Sequence, residues 1–242
     1  MIRRLTGLCL IALLLLASAR AEEPAIADAQ LAAQLSAIDS AAARVKDFSA
    51  RFEQRKITAL LKKPLISSGT VRCAGANVRW DTEKPEPIVL YADGVELRLY
   101  YPRDKLEEIY PIDQRLGDLL SSPVPRLGVM ERHFKIERAE AADLSRLFAQ
   151  IPANHSTVAL RMTPTDPALT QHVRQVIVVL DQKTALALVV QTIDADGDRT
   201  EITFSDVKTN GGLSPDQIQL QVPPDTSISR PMEGAPASAP SP

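Results

Sequence analysis

The feature that most constrains this chain is a repeated two-residue alternation of apolar and polar side chains. Val71 and Cys73 alternate with Thr70 and Arg72, and Val78 and Trp80 with Asn77 and Arg79. Val95, Leu97, Leu99 and Tyr101 alternate with Glu96, Arg98 and Tyr100. Side chains on a strand point to opposite faces in turn, so each run describes a half-buried strand. Ile88–Tyr91 is apolar throughout, and a strand over Glu107–Tyr110 stops at Pro111. Asp93-Gly94 between two runs is a hairpin turn signal that needs positive φ. Short strands joined by such turns make an antiparallel meander.

The last third repeats the pattern. Val158, Leu160 and Met162 alternate with Ala159 and Arg161, and Val173–Leu180 is β-branched and nearly all apolar. Leu186–Ile193 matches it across a short turn at Asp181–Lys183. After Asp196-Gly197, residues Thr200, Ile202, Phe204 and Asp206 share one face of a strand. After Asn210-Gly211-Gly212, residues Ile218, Leu220 and Val222 alternate with glutamines and predict a further strand, stopped by Pro223-Pro224. Phe134 and Ile136 predict one more strand. That is a long antiparallel sheet, and such sheets curl or close to protect their edges.

Three segments read as helical. Leu31, Leu35, Ile38, Ala42 and Val45 recur at spacings of four and three within Ala25–Lys46 and form one helix face. Asp113–Ser122 predicts a short helix ended by Pro123 and Pro125. Ala139–Gln150 has helical composition, with Leu144, Leu147, Phe148 and Ile151 on one side, although a strand pair fits there as well. A curled sheet with a helical lid encloses an interior, which is the first indication of function.

The N-terminus sets the compartment. Arg3 and Arg4 precede an apolar run from Leu8 to Leu16, followed by Ala17-Ser18-Ala19 and Ala19-Arg20-Ala21. A positive start, a short apolar stretch and small residues describe a secretory signal peptide. The run falls short of the roughly 20 apolar residues that span a bilayer. Cleavage is expected after Ala21 or Ala19. The expected organisation is a signal peptide over 1–21, one domain over 22–229, and a Pro/Ala/Ser-rich disordered tail over 230–242. Cys9 leaves with the signal, so Cys73 remains without an internal disulfide partner and is expected as a small apolar strand residue.

Composition removes whole classes of function. The net charge is −2, and loss of Arg3, Arg4 and Arg20 makes it three units more negative. No basic footprint suits a phosphate backbone, and 4% aromatic residues with one Trp give few platforms for stacking bases. His133, His155 and His172 stand in no metal-ligand spacing with one another or with Cys73. There is no Gly-x-Ser-x-Gly elbow and no phosphate-cradling glycine loop. Asp194, Asp196 and Asp198 lack the spacing of a calcium loop and suit a solvated hairpin turn. Glu107 and Glu108 point to opposite faces of a strand and make no catalytic pair. The chain is therefore expected not to be an enzyme and to need no cofactor or metal.

Particular residues resemble a family. Phe48-Ser49-Ala50-Arg51-Phe52-Glu53-Gln54 looks like the opening strand of the LolA family of periplasmic lipoprotein carriers. Gly69, Val78-Arg79-Trp80, Pro85, Tyr91-Ala92-Asp93-Gly94 and Leu99-Tyr100-Tyr101-Pro102 follow in that family's order. Thr203-Phe204-Ser205-Asp206-Val207, Asn210 and Pro223-Pro224-Asp225 resemble its closing strands. The resemblance runs from about Asp47 to about Ile228 and identifies the chain as a divergent member. It implies a mainly β (α+β) fold: an incomplete, curled antiparallel β-barrel with an N-terminal amphipathic helix and short lid helices. It also implies a monomeric periplasmic carrier that moves lipoprotein acyl chains from an inner-membrane exporter to an outer-membrane acceptor. One departure stands out. The best-known carriers have an Arg-Pro pair whose Arg helps accept cargo; that position falls near Ala74 here, with Arg72 and Arg79 the nearest arginines.

A carrier needs an apolar cavity rather than a precise polar array. The candidate lining is Phe52, Val71, Val78, Trp80, Val89, Tyr91, Leu97, Leu99, Phe204 and Leu220, with Leu31, Leu35 and Ile38 as the lid. The same alternation also describes ordinary core. Two other functions fit the fold class: a sensing module that binds lipid or protein, and a secreted enzyme with an unrecognised site. The carrier is favoured because one lipid-binding domain accounts for the recognisable chain. A sensor of this type is expected to carry a second domain, and little chain follows Pro223.

Overall fold

The computed structural model describes residues 23–112, 126–144, 147 and 156–231. The expected signal peptide over 1–21, the expected helix over 113–122 and most of the expected tail over 230–242 lie outside these residues, and of the helical segment expected over 139–150 only 139–144 and 147 are described. Helix α1 spans Glu23–Ala42. The strands β1 (Asp47–Ile57), β2 (Leu65–Ala74), β3 (Asn77–Lys84), β4 (Ile88–Ala92), β5 (Glu96–Tyr101) and β6 (Leu106–Pro111) form the first meander. A helical turn α2 (Leu127–Met130) leads to β7 (Phe134–Arg138), and a turn α3 (Ala141–Leu144) leads to β8 (Thr157–Pro164). A turn α4 (Pro167–Thr170) precedes β9 (Val173–Asp181), β10 (Ala187–Asp194) and β11 (Arg199–Thr209). A last turn α5 (Pro215–Ile218) and a short β12 (Ser227–Ser229) complete the described chain.

All twelve strands belong to one sheet, in the order β12-β6-β5-β4-β3-β2-β1-β11-β10-β9-β8-β7. Its two ends, β12 and β7, do not pair with each other, so the barrel is incomplete. Neighbours are antiparallel except for β12, which lies parallel to β6. The two meanders join where β1 pairs with β11, placing Phe52 opposite Phe204. Val71 on β2 and Leu160 on β8 share one apolar cluster with α1. Five strand spacings separate β2 from β8, about 24 Å on a flat sheet, so a shared cluster requires the sheet to curl around the helix.

The register assigns each side chain to a face. Phe48, Ala50 and Phe52 oppose Cys73, Val71 and Gly69, and Val71 and Cys73 oppose Trp80 and Val78. This inner face continues through Leu90 and Ala92 to Leu99 and Leu97. On the other meander it carries Val178, Leu160 and Met162. The predicted lid residues Leu35 and Ile38 are buried on it, and Leu31 packs at its margin.

The outer face is covered by two separate segments. Leu144 and Leu147 pack on Ile177, Val179, Leu188 and Val189. Ile218 and Leu220 pack on Tyr91 and Tyr100. Beneath the second cover, Glu107 is 1% exposed and paired with Arg98, whose Nε lies 2.6 Å from its carboxylate. Glu108 turns inward and accepts from the hydroxyls of Tyr101 and Tyr110 at 3.2 and 3.0 Å. The two glutamates thus lie on opposite faces, as their adjacency on a strand requires.

Two sequence expectations are corrected. Residues 218–222 do not form a strand. Pro215 starts α5, and the Gln217 side chain accepts from the Ser214 N–H at 2.9 Å, which closes the first helical turn. The glutamine alternation is overridden by that local chemistry. The short β12 was not foreseen; it follows the Pro223-Pro224 stop, and its approach is pinned by the Lys105–Asp225 ion pair.

Gly69 explains its place in the motif. A Cβ there would lie 1.9 Å from the Asp81 carbonyl oxygen and 3.0 Å from the Phe52 ring. Strands β2 and β3 approach this closely where the register shifts between Ser68 and Gly69. Gly69→Ala is therefore expected to cost about 3 kcal/mol or more, read as a lowered urea midpoint with an unchanged slope. Gly75→Ala, with no atom within 4 Å of its Cβ, should cost less despite its φ of 61°.

Candidate functional site

The inner face divides into a packed centre and an open flank. At the centre, Phe52 and Trp80 meet edge-on with ring centroids 4.9 Å apart, and Trp80 lies 6.0 Å from Phe204. Phe48 meets Phe204 edge-on at 6.4 Å. Such offset aromatic contacts add to the energy of area burial. Towards β6, the inner residues Leu90, Leu97, Leu99, Tyr101 and Leu106 are all half-buried. These side chains form a mainly apolar, partly exposed strip, with Glu108 opposite Leu99 held by the Tyr101 and Tyr110 hydroxyls, and a greasy ligand covering its leucines gains free energy.

The predicted lining therefore separates. Phe52, Val71, Val78, Trp80, Leu97, Leu99 and Phe204 lie on the inner face with Leu31, Leu35 and Ile38. Val89, Tyr91 and Leu220 do not. Val89 opposes Asp81 and Tyr91 opposes Arg79, which puts both on the outer face, where Leu220 covers Tyr91. A continuous apolar run such as Ile88–Tyr91 does not say which alternate residues face inward. The register instead selects Ile88, Leu90 and Ala92.

The lid is held by contacts that periodicity does not reveal. The Asp39 carboxylate accepts from the N–H groups of Leu127 at 2.6 Å and Gly128 at 2.7 Å. It caps the first turn of α2 from another helix, because Arg126 at the cap position makes no side-chain hydrogen bond. A Cβ on Gly128 would come within 3.1 Å of that carboxylate. Arg138 Nη2 donates to Gln34 Oε1 at 2.5 Å and ties α1 to β7. At the exit of α1, the Asp47 carboxylate accepts from the Gly211 and Gly212 N–H groups at 2.7 and 2.9 Å. Asn210 Oδ1 accepts from the Lys46 N–H at 2.7 Å. The motif residue Asn210, in the left-handed region at φ 55°, thus anchors the start of β1.

Between the end of α1, α2 and the start of β1 lies a cleft of about 660 Å³. Ala42, Val45, Phe48, Cys73 and Val129 line it, and Lys46 and Arg126 stand at its rim. Its size suits a small-molecule site. A second hollow of about 520 Å³, on the outer face of the central strands, is lined by polar groups including Arg51, Glu53 and Thr203. Among the described residues, no group of three or more His, Cys, Asp or Glu could hold a metal ion.

With this geometry in view, comparison with known proteins is decisive. The model of the family described as "Outer membrane lipoprotein carrier protein LolA" matches residues 43–221. The chain belongs to the LolA family. A protein of Azotobacter vinelandii named "Outer-membrane lipoprotein carrier protein" is 27% identical over 223 residues, covering 89% of this chain and 96% of that one. A protein of Idiomarina loihiensis with the same name is 24% identical over 197 residues, covering 79% and 85%. In fold, the chain is similar to an uncharacterized conserved protein from Thermus thermophilus, with a TM-score of 0.52 at 11% identity, covering 83% of this chain and 99% of that one.

Within the LolA family the absent Arg-Pro pair can now be placed. Neither neighbouring arginine faces inward. Arg72 opposes Arg79 on the outer face. Arg72 Nη1 lies 2.6 Å from Asp81, and Arg79 binds both Asp81 oxygens and donates to the Gln219 carbonyl at 2.8 Å. These arginines hold the outer cover in place. Lys46 and Arg126, which no sequence motif singled out, are the cations that line the cleft beside α1.

The lid and the cleft can each be tested. Asp39→Ala removes two hydrogen bonds to a carboxylate and should cost about 1–2 kcal/mol in urea denaturation, with faster hydrogen exchange at Leu127 and Gly128. Burial pushes the Cys73 thiol up to about 12. At pH 8 about one thiol in ten thousand is then ionised, so native protein should resist a thiol reagent that labels it rapidly once unfolded. Rapid labelling of native protein would show that the floor of the cleft is wet.

Proposed function

We propose that this chain is a periplasmic carrier whose inner face takes up the acyl chains of a lipoprotein, or of another lipid, and moves them from inner to outer membrane. Family membership and the half-buried inner strip over β4–β6 support this reading. The signal-like segment over 1–21 supports export, with residues 22–229 as the carrier domain and 230–242 as a tail. An inner-membrane exporter and an outer-membrane acceptor are the proposed partners, and the work is binding rather than catalysis.

In physical terms, a chain enters along Leu97 and Leu99 and advances towards Trp80, Phe52 and Phe204 as α1 lifts. A chain of about 14 methylenes gains roughly 11 kcal/mol on leaving water. The lid offers Leu31, Leu35 and Ile38 to the same surface, so chain and lid compete for it. Release then needs a partner that prefers one lid position, because a ligand shifts two states only by its differential affinity. Burial of a ligand needs no catalytic group, which suits the apolar character of the strip.

The test is to purify the protein from a membrane-containing host, extract it with organic solvent and analyse the extract by mass spectrometry. A bound acylated species is expected, together with uptake of an acylated peptide by the stripped protein. Leu99→Glu should lower that uptake by tenfold or more with only a modest fall in melting temperature, because Leu99 is half-buried and the new carboxylate faces Glu108 across the strand pair. Absence of lipid together with no uptake would overturn the reading. Global unfolding of Leu99→Glu would show a packed core in its place.

A further inference from the structure

The hairpin between β1 and β2 presents an apolar apex. Leu60 is 91% exposed, and Leu61, Leu65 and Ile66 are 46%, 56% and 54% exposed. These are four of the six large apolar side chains found exposed among the described residues. The same short stretch carries Arg55, Lys56, Lys62 and Lys63, and no acidic residue lies between Gln54 and Gly69. Among the described residues none of these four cations has an ion-pair partner, in a chain whose overall charge is negative. The hairpin also projects: Leu65–Ser67 pair with β1 alone, because the pairing of β2 with β3 begins at Ser68. The adjacent β10–β11 turn carries Asp194, Asp196 and Asp198 with Arg174 and Arg199, an excess of one negative charge, so the positive excess at this edge belongs to the hairpin.

We propose that this hairpin docks the protein on the surface of an anionic phospholipid bilayer. Leu60 and Leu61 enter the interface, while Lys56, Lys62, Lys63 and Arg55 meet the phosphates. Leu60 and Leu61 at the tip are followed in the loop by Lys62 and Lys63, and Arg55 and Lys56 stand opposite Ile66 and Leu65, so apolar and cationic groups meet at one end of the hairpin as acyl chains and phosphates meet at a bilayer edge. A single hairpin of this kind gives reversible attachment, as a single weak anchor does. The charge complementarity favours a lipid surface over a protein partner, since it requires no shaped pocket around the leucines. This proposal stands apart from the inner face, whose residues are not part of the hairpin.

The test is flotation of the purified protein with phosphatidylcholine vesicles containing roughly one-third phosphatidylglycerol. The wild type should float with these and much less with pure phosphatidylcholine, and high salt should weaken the binding. Leu60→Asp with Leu61→Asp, and separately Lys62→Glu with Lys63→Glu, should each lower the bound fraction by about tenfold or more. Both pairs are exposed, so unchanged melting temperatures and unchanged uptake of acylated peptide are expected. Leu99→Glu should float like the wild type, which separates surface docking from filling of the inner face. Undiminished flotation of both hairpin variants would overturn the proposal. So would attachment seen only with native membranes and lost when their proteins are stripped, which would make the hairpin a protein-docking element.

Discussion

The structure depends on strand β1 being hydrogen-bonded on both edges. It pairs with β2 on one side and β11 on the other. Those two ladders turn two meanders into a single sheet. They also set opposite one another the aromatic residues that fill its inner centre, Phe52 against Phe204 and, one strand further, Trp80. Asp47 and Asn210 secure the starting end of this strand. Gly69 lets β2 and β3 approach beneath Phe52. The residues of the family motif are thus largely those that fix the central pairing, and only some of them belong to a binding surface.

The two faces of the sheet are closed by different means. The outer face is sealed by short covers reinforced with ion pairs, Arg98 with Glu107 and Arg79 with Asp81. Both pairs lie within the sheet, and Arg79 also ties the sheet to the second cover by donating to the Gln219 carbonyl. The inner face is covered by α1, which is joined to its surroundings by Asp39 and by the Gln34–Arg138 contact. The Asp39 cap contributes about 1–2 kcal/mol and a single side-chain bond such as Gln34–Arg138 about 1 kcal/mol. The proposed acyl chain, at roughly 11 kcal/mol, would have to offset these bonds together with the burial of Leu35 and Ile38. In the proposed function the inner face is the side that opens.

Much of the fold was legible in the sequence because its signals were local. Alternation placed most of the strands, and the spacing of Leu31, Leu35 and Ile38 gave the buried face of α1. Where a run was apolar throughout, as at Ile88–Tyr91, alternation could not choose a face, and Val89 and Tyr91 were assigned inward when Leu90 is the inward residue. A capped helical turn over Pro215–Ile218 takes the start of the expected strand, and 219–222 join no strand, because Pro215 and the Ser214–Gln217 contact govern the backbone more strongly than one spaced pattern. The Asp39 cap joins residues almost ninety positions apart. No local spacing announces such a contact. Leu220 was assigned to the interior on the strength of a strand that does not form.

The central claim is that an acyl chain lies on the inner face beside Trp80. Trp80 is the single tryptophan of the chain, so its fluorescence reports that location without interference. The direct measurement is titration of the stripped protein with a fatty acid brominated along its chain, since bromine quenches an indole on contact. Saturable quenching is predicted, reversed by an unbrominated acylated peptide and greatly weakened in Leu99→Glu. Tight binding of the brominated chain with no change in Trp80 emission would place the ligand elsewhere and contradict the account.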